Sequence, residues 1–440
     1  MSEIKIHSLD ECIETLIDYR GKSPPKSVSG VPVISAKVVK DGYVLREIKQ
    51  RIAPDFYSKW MTRGYPKVGD IVLTTEGPLG EVAQLDAETV NYALGQRVVV
   101  LRGKKGVLDN TFLKFLLMSK KQQEILVSYA TGTTVAGISQ KALRSVPLAL
   151  PTYTDQVAIG YFLVAIDDKI EINRRINETV AAMAEQVFQD WFVDYGPIRS
   201  NGRGEPHPGL SPEIASLFPA GINENGAPNG WCKKRLGDIA AVVKGKSYKS
   251  SELAPSKNAL VTLKSFNRGG GYRLDGLKEY VGPYKAEQVV VSGDLIIAYT
   301  DVTQAADVIG RPALVMPDAR YEHLVISLDV GVVRPINIDY RLWIYGLALT
   351  EKFQDHMRAH TTGTTVLHLS ASGVPSFEFY CPPDSLIQEY KKFSEPLFSQ
   401  IEANIVENRN LSDLRDFLLP KLMTGEVHIE DAEQFLEYAL

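Results

Sequence analysis

Residues 155–191 read DQVAIGYFLVAIDDKIEINRRINETVAAMAEQVFQDW, and this stretch decides the fold. Its apolar residues recur at alternating steps of four and three, which is the a/d pattern of a coiled-coil helix. The residues on this seam are Ile159, Leu163, Ile166, Ile170, Asn173, Asn177, Val180, Ala184, Val187 and Trp191. A buried asparagine on such a seam costs stability but fixes register and partner, so the pattern predicts one long helix with one specified mate. A long core helix inside an ordinary globular domain is the alternative interpretation.

The mate of this helix is predicted within the same chain, at residues 385–423. When Leu397 is aligned with Phe162, the two segments share the order of their apolar residues and one seam asparagine, Asn408. The sequence therefore predicts a helix pair whose seam is formed by Ile166, Ile170, Asn173, Asn177, Val180, Ile401, Ile405, Asn408 and Leu411.

Length and composition limit the class of protein. With 440 residues, the chain is too long for one core and is expected to hold two or three domains. Cys12, Cys232 and Cys381 are odd in number and far apart in the sequence, which argues against a disulfide framework and against a cysteine-based metal site. No apolar run reaches membrane-spanning length and the N-terminus lacks the features of a signal peptide, so we expect a cytoplasmic protein.

Charge is distributed unevenly along the chain. The net charge is -4, yet residues 1–150 carry 21 basic and 15 acidic residues, whereas residues 151–200 carry 4 and 8. This asymmetry is consistent with basic globular parts that could bind phosphate and acidic helical parts that contact protein.

Residues 1–150 are predicted to be mainly strands. Runs rich in β-branched residues, bounded by glycine, proline and aspartate, predict strands at 31–35, 70–75, 97–102 and 146–150. An amphipathic helix is predicted near 109–129, followed by the polar turn TGTTV at 131–135. Asp155 is the predicted N-cap of the long helix.

The first pattern then starts again, after a connector at 196–230 that is rich in glycine, proline, asparagine and serine. The separation between matched residues changes only from 224 to 235 along the chain. The matched segments are 21–23 with 245–247, 68–72 with 292–296, 97–102 with 329–334, and TGTTV at 131–135 with an identical TGTTV at 362–366. The chain is therefore a tandem repeat of a globular unit followed by a long helix.

The repeat has a geometric consequence if its two long helices pair antiparallel. It predicts internal pseudo-two-fold symmetry with the globular units at opposite ends, and a protein of that symmetry contacts two DNA half-sites about 34 Å apart. Because the units differ between the matched segments, their half-sites should differ too. The predicted fold class is α+β: two mixed α/β domains, each followed by a long helix, with the helices paired as an antiparallel coiled coil.

This order of elements resembles the specificity subunit of type I restriction-modification systems. The resemblance covers nearly the whole chain and lies in the TGTTV segments, the Gly-Asp pairs at Gly69 and Gly293, and the pattern IxxNRxI that begins at Ile170. Further matching segments are PNGW at 228–231, LGD at 236–238, FQDWF at 188–192 and FLLPKLMTG at 417–425.

The resemblance implies both an organisation and a function. It implies target-recognition domains at 1–152 and 231–383, a central conserved helix at 153–195, a connector at 196–230, a distal conserved helix at 384–425 and a C-terminal tail at 426–440. Such a subunit is not an enzyme; it binds an asymmetric bipartite DNA site and directs adenine methylation and restriction by its partners. The implied partners are double-stranded DNA, two methyltransferase subunits and restriction subunits. The methyl donor, Mg and ATP are expected on those partner subunits, with no cofactor bound by this chain.

Candidate DNA contacts come from residue type and position. Phosphates are bound by lysine, arginine, serine, threonine and backbone N–H groups, while base edges are contacted mainly by arginine, lysine, asparagine and glutamine. The candidates on predicted loops and strand ends are Arg20, Lys22, Ser23, Thr74, Thr75, Arg97, Lys246, Tyr248, Lys264, Tyr299, Thr300 and Thr303. A solvated surface residue is the alternative interpretation of each.

The two TGTTV segments are predicted to be structural turns in which Gly132 and Gly363 supply backbone freedom. A phosphate contact from their backbone is the alternative. The segments at 21–23 and 245–247 look like the end of a phosphate-binding loop, but Leu16 and Ala240 stand where its first glycine belongs.

Other functions remain as alternatives. Asp384, Glu389 and Lys391 mimic the spacing of a metal-dependent nuclease, although a helix cap and solvated helix residues explain them better. The seven histidines are scattered and predict no metal site. The main alternative function is a coiled-coil scaffold that joins protein partners without contacting DNA.

Overall fold

The computed structural model describes residues 4–19, 23–132, 135–302 and 306–432. The chain forms two compact units. The first unit contains residues 1–172 and 407–440, and the second unit contains residues 173–406.

The first unit is built on a four-stranded antiparallel sheet of order β2-β10-β7-β8. Its strands are β1 (Lys5–Ser8), β2 (Ile13–Asp18), β3 (Val31–Ile34), β4 (Val39–Lys40), β5 (Tyr43–Val44), β6 (Arg51–Ile52), β7 (Ile71–Thr75), β8 (Leu79–Gln84), β9 (Ala93–Leu94), β10 (Val98–Gly103) and β11 (Pro147–Leu150). The four strands predicted from sequence correspond to β3, β7, β10 and β11.

Short helices cover this unit: α1 (Leu9–Cys12), α2 (Pro54–Trp60), α3 (Asn110–Met118), α4 (Lys120–Ser128) and α5 (Gln140–Arg144). The prediction of one helix near 109–129 was wrong, because the chain breaks at Ser119 into α3 and α4. Ser119 has extended backbone angles, and its side chain accepts a hydrogen bond from the Gln122 amide as the N-cap of α4. Serine competes for backbone hydrogen bonds in this way and therefore favours caps over helix interiors.

The central helix α6 spans Tyr153–Phe188 and is followed by a π-helical turn at Gln189–Val193. The helix begins two residues before the predicted cap, Asp155. Thr152 is the capping residue instead, since its Oγ1 accepts a hydrogen bond from the Asp155 amide (3.3 Å) and donates one to Asp155 Oδ2 (2.8 Å). Asp155 is thus the reciprocal partner of the cap.

The second unit repeats the sheet plan of the first. Its main sheet has the order β13-β21-β17-β19, and β12 pairs with β24 as β1 pairs with β11. The helices that follow α6 are α7 (Gly196–Arg203), α8 (Pro212–Ala215), α9 (Arg341–Leu349) and α10 (Glu351–Ala359). The strands are β12 (Cys232–Arg235), β13 (Ala240–Lys244), β14 (Asn258–Val261), β15 (Lys278–Glu279), β16 (Val289–Val290), β17 (Leu295–Ala298), β18 (Thr300–Asp301), β19 (Pro312–Leu314), β20 (His323–Ile326), β21 (Val330–Pro335), β22 (Thr361–Thr362), β23 (Leu367–Leu369) and β24 (Glu378–Cys381). The tandem repeat inferred from sequence is therefore confirmed in the strand order.

The repeated Gly-Asp pairs make the same turn in both units. Gly69 and Gly293 have positive φ values of 89° and 80°. The following aspartates close the turn, with Asp70 accepting a hydrogen bond from the Lys67 amide (2.7 Å) and Asp294 accepting one from the Val291 amide (3.0 Å). Only glycine adopts that backbone conformation readily, which explains why this pair is retained in two otherwise divergent units.

The connector at 196–230 is folded more extensively than its composition indicated. It contains α7 and α8, Ile198 and Phe218 are buried in the core of the second unit, and Ala227 is also buried. Phe218 packs edge-on against Trp191, with ring centroids 5.5 Å apart. A few apolar side chains thus anchor a segment that is otherwise polar.

The distal helix α11 spans Asp384–Thr424, and within each unit it runs antiparallel to the central helix. In the first unit, Asn408 Nδ2 donates to the Ile170 carbonyl (3.3 Å) and Arg415 Nη1 contacts Asp167 Oδ1 (2.9 Å). In the second unit, Tyr390 donates to the Ala184 carbonyl (3.3 Å) and Asn404 Nδ2 donates to Asn177 Oδ1 (2.7 Å). Residue numbers fall along one helix as they rise along the other, so the predicted antiparallel pairing is confirmed within each unit.

The predicted seam residues differ in how deeply they are buried. Asn177, Val180, Ile405 and Asn408 are partly buried, and the remaining five are buried: Ile166, Ile170, Asn173, Ile401 and Leu411. The sequence pattern missed Asn404, which is 4% exposed and hydrogen-bonds to Asn177. Its position was hidden because the alignment of the two helices matches it with Lys169.

A buried ionic network holds the helices of the first unit to its globular part. Asp167 on α6 contacts Lys114 Nζ on α3 (2.5 Å) and Arg415 Nη1 on α11 (2.9 Å). The side chains of Lys114 and Asp167 are only 4% and 2% exposed. The Lys114 ammonium also lies 4.7 Å from the ring centroid of Tyr43, whose hydroxyl donates to the Asp167 carbonyl oxygen (2.8 Å). One carboxylate therefore links three segments of the chain.

We predict that Asp167→Asn destabilises the first unit by about 3–5 kcal/mol, because it leaves the buried Lys114 ammonium without its counter-charge and removes one of the two carboxylates that pair with Arg415. Urea denaturation, monitored by a probe in the first unit, measures the change. Asp168→Asn is the matched control, since Asp168 is the next residue along the helix and is exposed; surface substitutions of this kind change the free energy of unfolding by less than about 0.5 kcal/mol. Equal effects of the two substitutions would contradict the structural role of Asp167.

Candidate nucleic-acid interface

In the first unit, the candidate surface contains the exposed side chain of Arg97. It precedes β10, and its Nε contacts Glu76 Oε1 (2.8 Å) while about half of the side chain (52%) stays exposed. Ser23 lies beside it, donating a hydrogen bond to Oε1 of the neighbouring Gln96 (2.6 Å). The structure therefore places Ser23 against the residue that precedes Arg97, just before the start of the interior strand β10.

The residues that follow the TGTTV segment of the first unit pair with the end of β7. The Ile138 amide donates to the Thr75 carbonyl (3.0 Å), and Glu76 forms a β-bridge with Gly137. A Cβ atom built on Gly77 would lie 3.0 Å from Arg97 Nη1 and 3.9 Å from Val135, so the guanidinium and this segment flank the same turn.

Gly132 and Gly363 adopt positive φ values of 109° and 108°, as predicted. A Cβ atom at Gly132 would lie 2.5 Å from the Val135 carbonyl oxygen, and one at Gly363 would lie 2.1 Å from that of Val366. The two glycines therefore make equivalent tight turns that no other residue could make without strain. Thr133 and Thr134 lie outside the described residues.

Two further candidates in the first unit, Thr74 and Thr75, are buried in β7. Thr74 Oγ1 accepts a hydrogen bond from the Glu81 amide (2.9 Å), while Thr75 Oγ1 has no hydrogen-bond partner among the residues that the structure describes. Neither side chain reaches the surface, so neither can contact a ligand in this conformation. Their predicted position at a strand end was right, but the sequence did not reveal that both faces of β7 are covered.

A second candidate surface lies beyond the end of β13. Lys246 Nζ donates to the Pro283 carbonyl (2.7 Å), and Lys278 Nζ donates to the Tyr248 hydroxyl (2.8 Å) while lying 5.1 Å from the centroid of its ring. Lys246 and Tyr248 are partly exposed. The sequence analysis did not identify Lys278, because this residue is distant in the sequence from Tyr248, which it contacts.

Lys244 and Tyr299 form another pair in the second unit. The Lys244 ammonium lies 4.4 Å from the centroid of the Tyr299 ring, which packs below it. Burial lowers the pKa of Lys244 and raises that of Tyr299, whose hydroxyl is buried and has no hydrogen-bond partner within the described part of the chain. The buried Tyr299 ring therefore supports the Lys244 ammonium, and only Lys244 of this pair is exposed to solvent.

Of the five remaining candidates, the structure describes two. Lys264 is exposed in a short 3-10 turn at Leu263–Ser265, and Thr300 is buried in β18. Arg20, Lys22 and Thr303 lie outside the described residues. Lysine and arginine ammonium and guanidinium groups of the kind exposed here bind phosphate oxygens through charge-assisted hydrogen bonds.

The residues that mimicked catalytic motifs have other partners. Asp384 accepts a hydrogen bond from the Tyr340 hydroxyl, Lys391 pairs with Asp339 (2.7 Å), and Glu389 pairs with Lys392 (2.7 Å). Burial and the Asp384 carboxylate raise the pKa of Tyr340. These three residues therefore make structural contacts at the start and on the surface of α11.

The backbone at 245–247 is not arranged as a phosphate-binding loop. At 245–247, the amide of Gly245 donates to the Val330 carbonyl (3.0 Å) and that of Lys246 donates to the Ile326 carbonyl (3.1 Å), so neither is directed at a ligand. Within the described ranges, histidine, cysteine, aspartate and glutamate side chains form no group of three or more that could hold a metal ion. Of the helices in that same part of the chain, none combines the length and apolar character needed to cross a membrane.

A family model described as "Type I restriction modification DNA specificity domain" matches residues 16–182. The chain is 26% identical to the type I restriction enzyme MjaIX specificity subunit of Methanocaldococcus jannaschii over 380 residues, which cover 84% of this chain and 80% of that protein. It is 22% identical to the type I restriction enzyme HindI specificity subunit of Haemophilus influenzae over 418 residues, which cover 82% of this chain and 87% of that protein.

The fold is similar to that of a solved structure, a type I restriction-modification system S subunit from M. genitalium. The superposition has a TM-score of 0.52 at 17% identity and covers 96% of each chain. At this level of identity the likeness concerns the fold alone.

Proposed function

The chain belongs to the DNA specificity subunits of type I restriction-modification systems, and from this membership we propose that it recognises an asymmetric bipartite site on double-stranded DNA. The observation that supports the bipartite site is the duplicated sheet plan, β2-β10-β7-β8 and β13-β21-β17-β19, with different side chains on the two copies. Two recognition units of one plan but different surface chemistry are suited to two different half-sites.

The proposed domain organisation follows the tandem repeat. Residues 1–152 and 231–383 would be the target-recognition domains, and residues 153–195 and 384–425 the conserved helices that join them. The connector at 196–230 and the tail at 426–440 complete the chain. The family match is the reason to favour this organisation over a coiled-coil scaffold that never contacts DNA.

The proposed DNA contacts are those candidates whose side chains are accessible. In the first unit these are Ser23 and Arg97, with Arg20 and Lys22 retained on the sequence argument. In the second unit they are Lys246, Tyr248 and Lys264, with Thr303 retained on the same argument. The pair Lys244 and Lys278 extends the second set, because both ammonium groups lie over tyrosine rings beside it. The buried candidates would only pack beneath the contact surface of their own unit. These are Thr74 and Thr75 in the first unit and Tyr299 and Thr300 in the second.

The chain is proposed to act in the cytoplasm without an active site of its own. Two methyltransferase subunits would perform adenine methylation, and restriction subunits would perform cleavage. The methyl donor, Mg and ATP would then be bound by those subunits. This division explains how a chain whose motif-like residues are engaged in structural contacts can direct chemistry on DNA.

Methylome sequencing tests the function directly. In a host that carries this gene with its partner genes, deletion of this gene alone should abolish methylation at one motif that consists of two defined parts separated by a gap of unspecified bases. Re-expression of the chain should restore the same motif. If every methylated motif survives the deletion, the proposed function is wrong.

Exchange of one unit tests whether each half-site is recognised separately. Replacement of residues 1–150 by the corresponding unit of a relative should change one half of the methylated motif and leave the other half intact. The donor should carry lysine at the position of Lys114, so that the buried network around Asp167 is kept. The reciprocal exchange of residues 231–383 is the matched control and should change the other half. Changes in both halves from one exchange would contradict modular recognition.

Arg97→Ala tests the candidate surface of the first unit. Loss of one phosphate contact should weaken DNA binding by the assembled methyltransferase roughly 10-fold, and it should reduce the dependence of log K on log salt by about one. Arg46→Ala is the control, because Arg46 is an exposed arginine of the same unit that is paired with Asp86 and Glu88. Fluorescence anisotropy at several salt concentrations measures both quantities, and equal behaviour of the two variants would remove Arg97 from the interface.

A further inference from the structure

Two of the three cysteines are brought together by the fold of the second unit. Strands β12 and β24 are antiparallel, and their register places Cys232 directly opposite Cys381. Directly opposed residues in an antiparallel pair have Cα atoms about 4.5–5.5 Å apart, which lies within the 4.4–6.8 Å range found in disulfides. Their side chains point to the same face of the two-stranded sheet, so the fold brings the two residues within the range of Cα separations at which disulfides occur.

The two thiols differ in accessibility. Cys232 is exposed at the start of β12, whereas Cys381 is 4% exposed and contacts the core of the second unit. Burial raises the pKa of Cys381, and the neighbouring Cys232 adds to this effect, which places the two sulfur groups within electrostatic range of each other. A soluble oxidant would therefore meet Cys232 first, and Cys381 would be reached only from within the protein.

We propose that Cys232 and Cys381 form a reversible intramolecular disulfide when the chain meets a disulfide oxidant such as oxidised glutathione. The Cys232 thiolate attacks one sulfur of the oxidant, forming a mixed disulfide and releasing one glutathione thiolate. Cys381 then loses its proton to solvent and attacks the Cys232 sulfur, which forms the protein disulfide and releases the second glutathione. Two protein thiols are oxidised and one glutathione disulfide is reduced to two thiols, so electrons and protons balance.

The register also indicates why this disulfide would be easily reduced. The Leu236 amide donates to the Phe377 carbonyl (2.9 Å) in the same ladder. Hydrogen-bonded and non-hydrogen-bonded pairs alternate along antiparallel strands, so Cys232 and Cys381, four residues further along each strand, form a hydrogen-bonded pair. The Cβ atoms of such pairs are farther apart than disulfides prefer, and the resulting strain makes the bond more reducible. Strained or exposed disulfides are the labile ones.

The bond would act on the second unit alone. It would join the strand that opens this unit to the strand that precedes the distal helix, and so close a loop that contains β13 to β23. In the first unit the corresponding register position pairs Lys5 with Leu150, which cannot be cross-linked in this way. The proposed disulfide is therefore a redox-responsive cross-link of the second unit, which has no counterpart at the matching position of the first unit.

Peptide mapping of the oxidised full-length chain tests the proposal. The native protein is treated with oxidised glutathione, quenched with acid, alkylated and digested with trypsin without reduction. The expected product is a disulfide between the peptides 204–233 and 359–391, which contain Cys232 and Cys381. Dithiothreitol should release both peptides. The Cys12→Ala variant should give the same product, whereas Cys232→Ser should not.

Thermal unfolding provides a second readout. Oxidation should raise the unfolding temperature of the second unit by about 5 °C in the native sequence and in Cys12→Ala, because a cross-link restricts the unfolded chain. It should leave Cys232→Ser unchanged. The proposal is overturned if Cys232 stays as a glutathione adduct while Cys381 remains a free thiol, if the linked product contains Cys12, or if linkage appears only after the protein has been denatured.

Discussion

Polar contacts buried between the two long helices are the constraint on which the rest of the structure depends. An apolar seam alone tolerates sliding by one heptad, since leucine and isoleucine pack in either register. In the second unit, the hydrogen bond between Asn177 and Asn404 opposes such a shift, because the shift would separate the buried Asn404 amide from its partner on the central helix. In the first unit, the Asp167 carboxylate does the same through Lys114 and Arg415, and it also ties the helices to the globular part.

A common framework with divergent surfaces follows from this arrangement. The order of the main sheet and the turns at Gly69-Asp70 and Gly293-Asp294 are the same in both units, because backbone geometry requires them. The exposed side chains are under no such constraint. Arg97, just before the start of β10, is replaced by Asp329 in the other unit, where the Lys244 ammonium over the Tyr299 ring supplies positive charge. One plan can therefore carry two chemically distinct contact surfaces.

The sequence predicted the elements better than their ends and their burial. Heptad spacing located both long helices to within a few residues, but the central helix is capped by Thr152, because a threonine three residues before Asp155 completes a reciprocal cap. Residue type placed Thr74 and Tyr299 on a binding surface, although both are covered by other segments. Local patterns record which residues can form a cap or a contact, and the choice among them depends on segments that are far away in the chain.

By itself, the sequence determined the duplicated plan, the helix pair and the family resemblance, because periodicity and repeated motifs are properties of the linear chain. Only the tertiary structure decided which polar residues meet. Asn404 pairs with Asn177, Lys114 with Asp167, and Cys232 stands opposite Cys381 although the sequence separation of the cysteines argued against any link between them. The physical reason is that such contacts depend on strand register and helix packing, which are set by burial of the whole core and leave no periodic signal in the sequence.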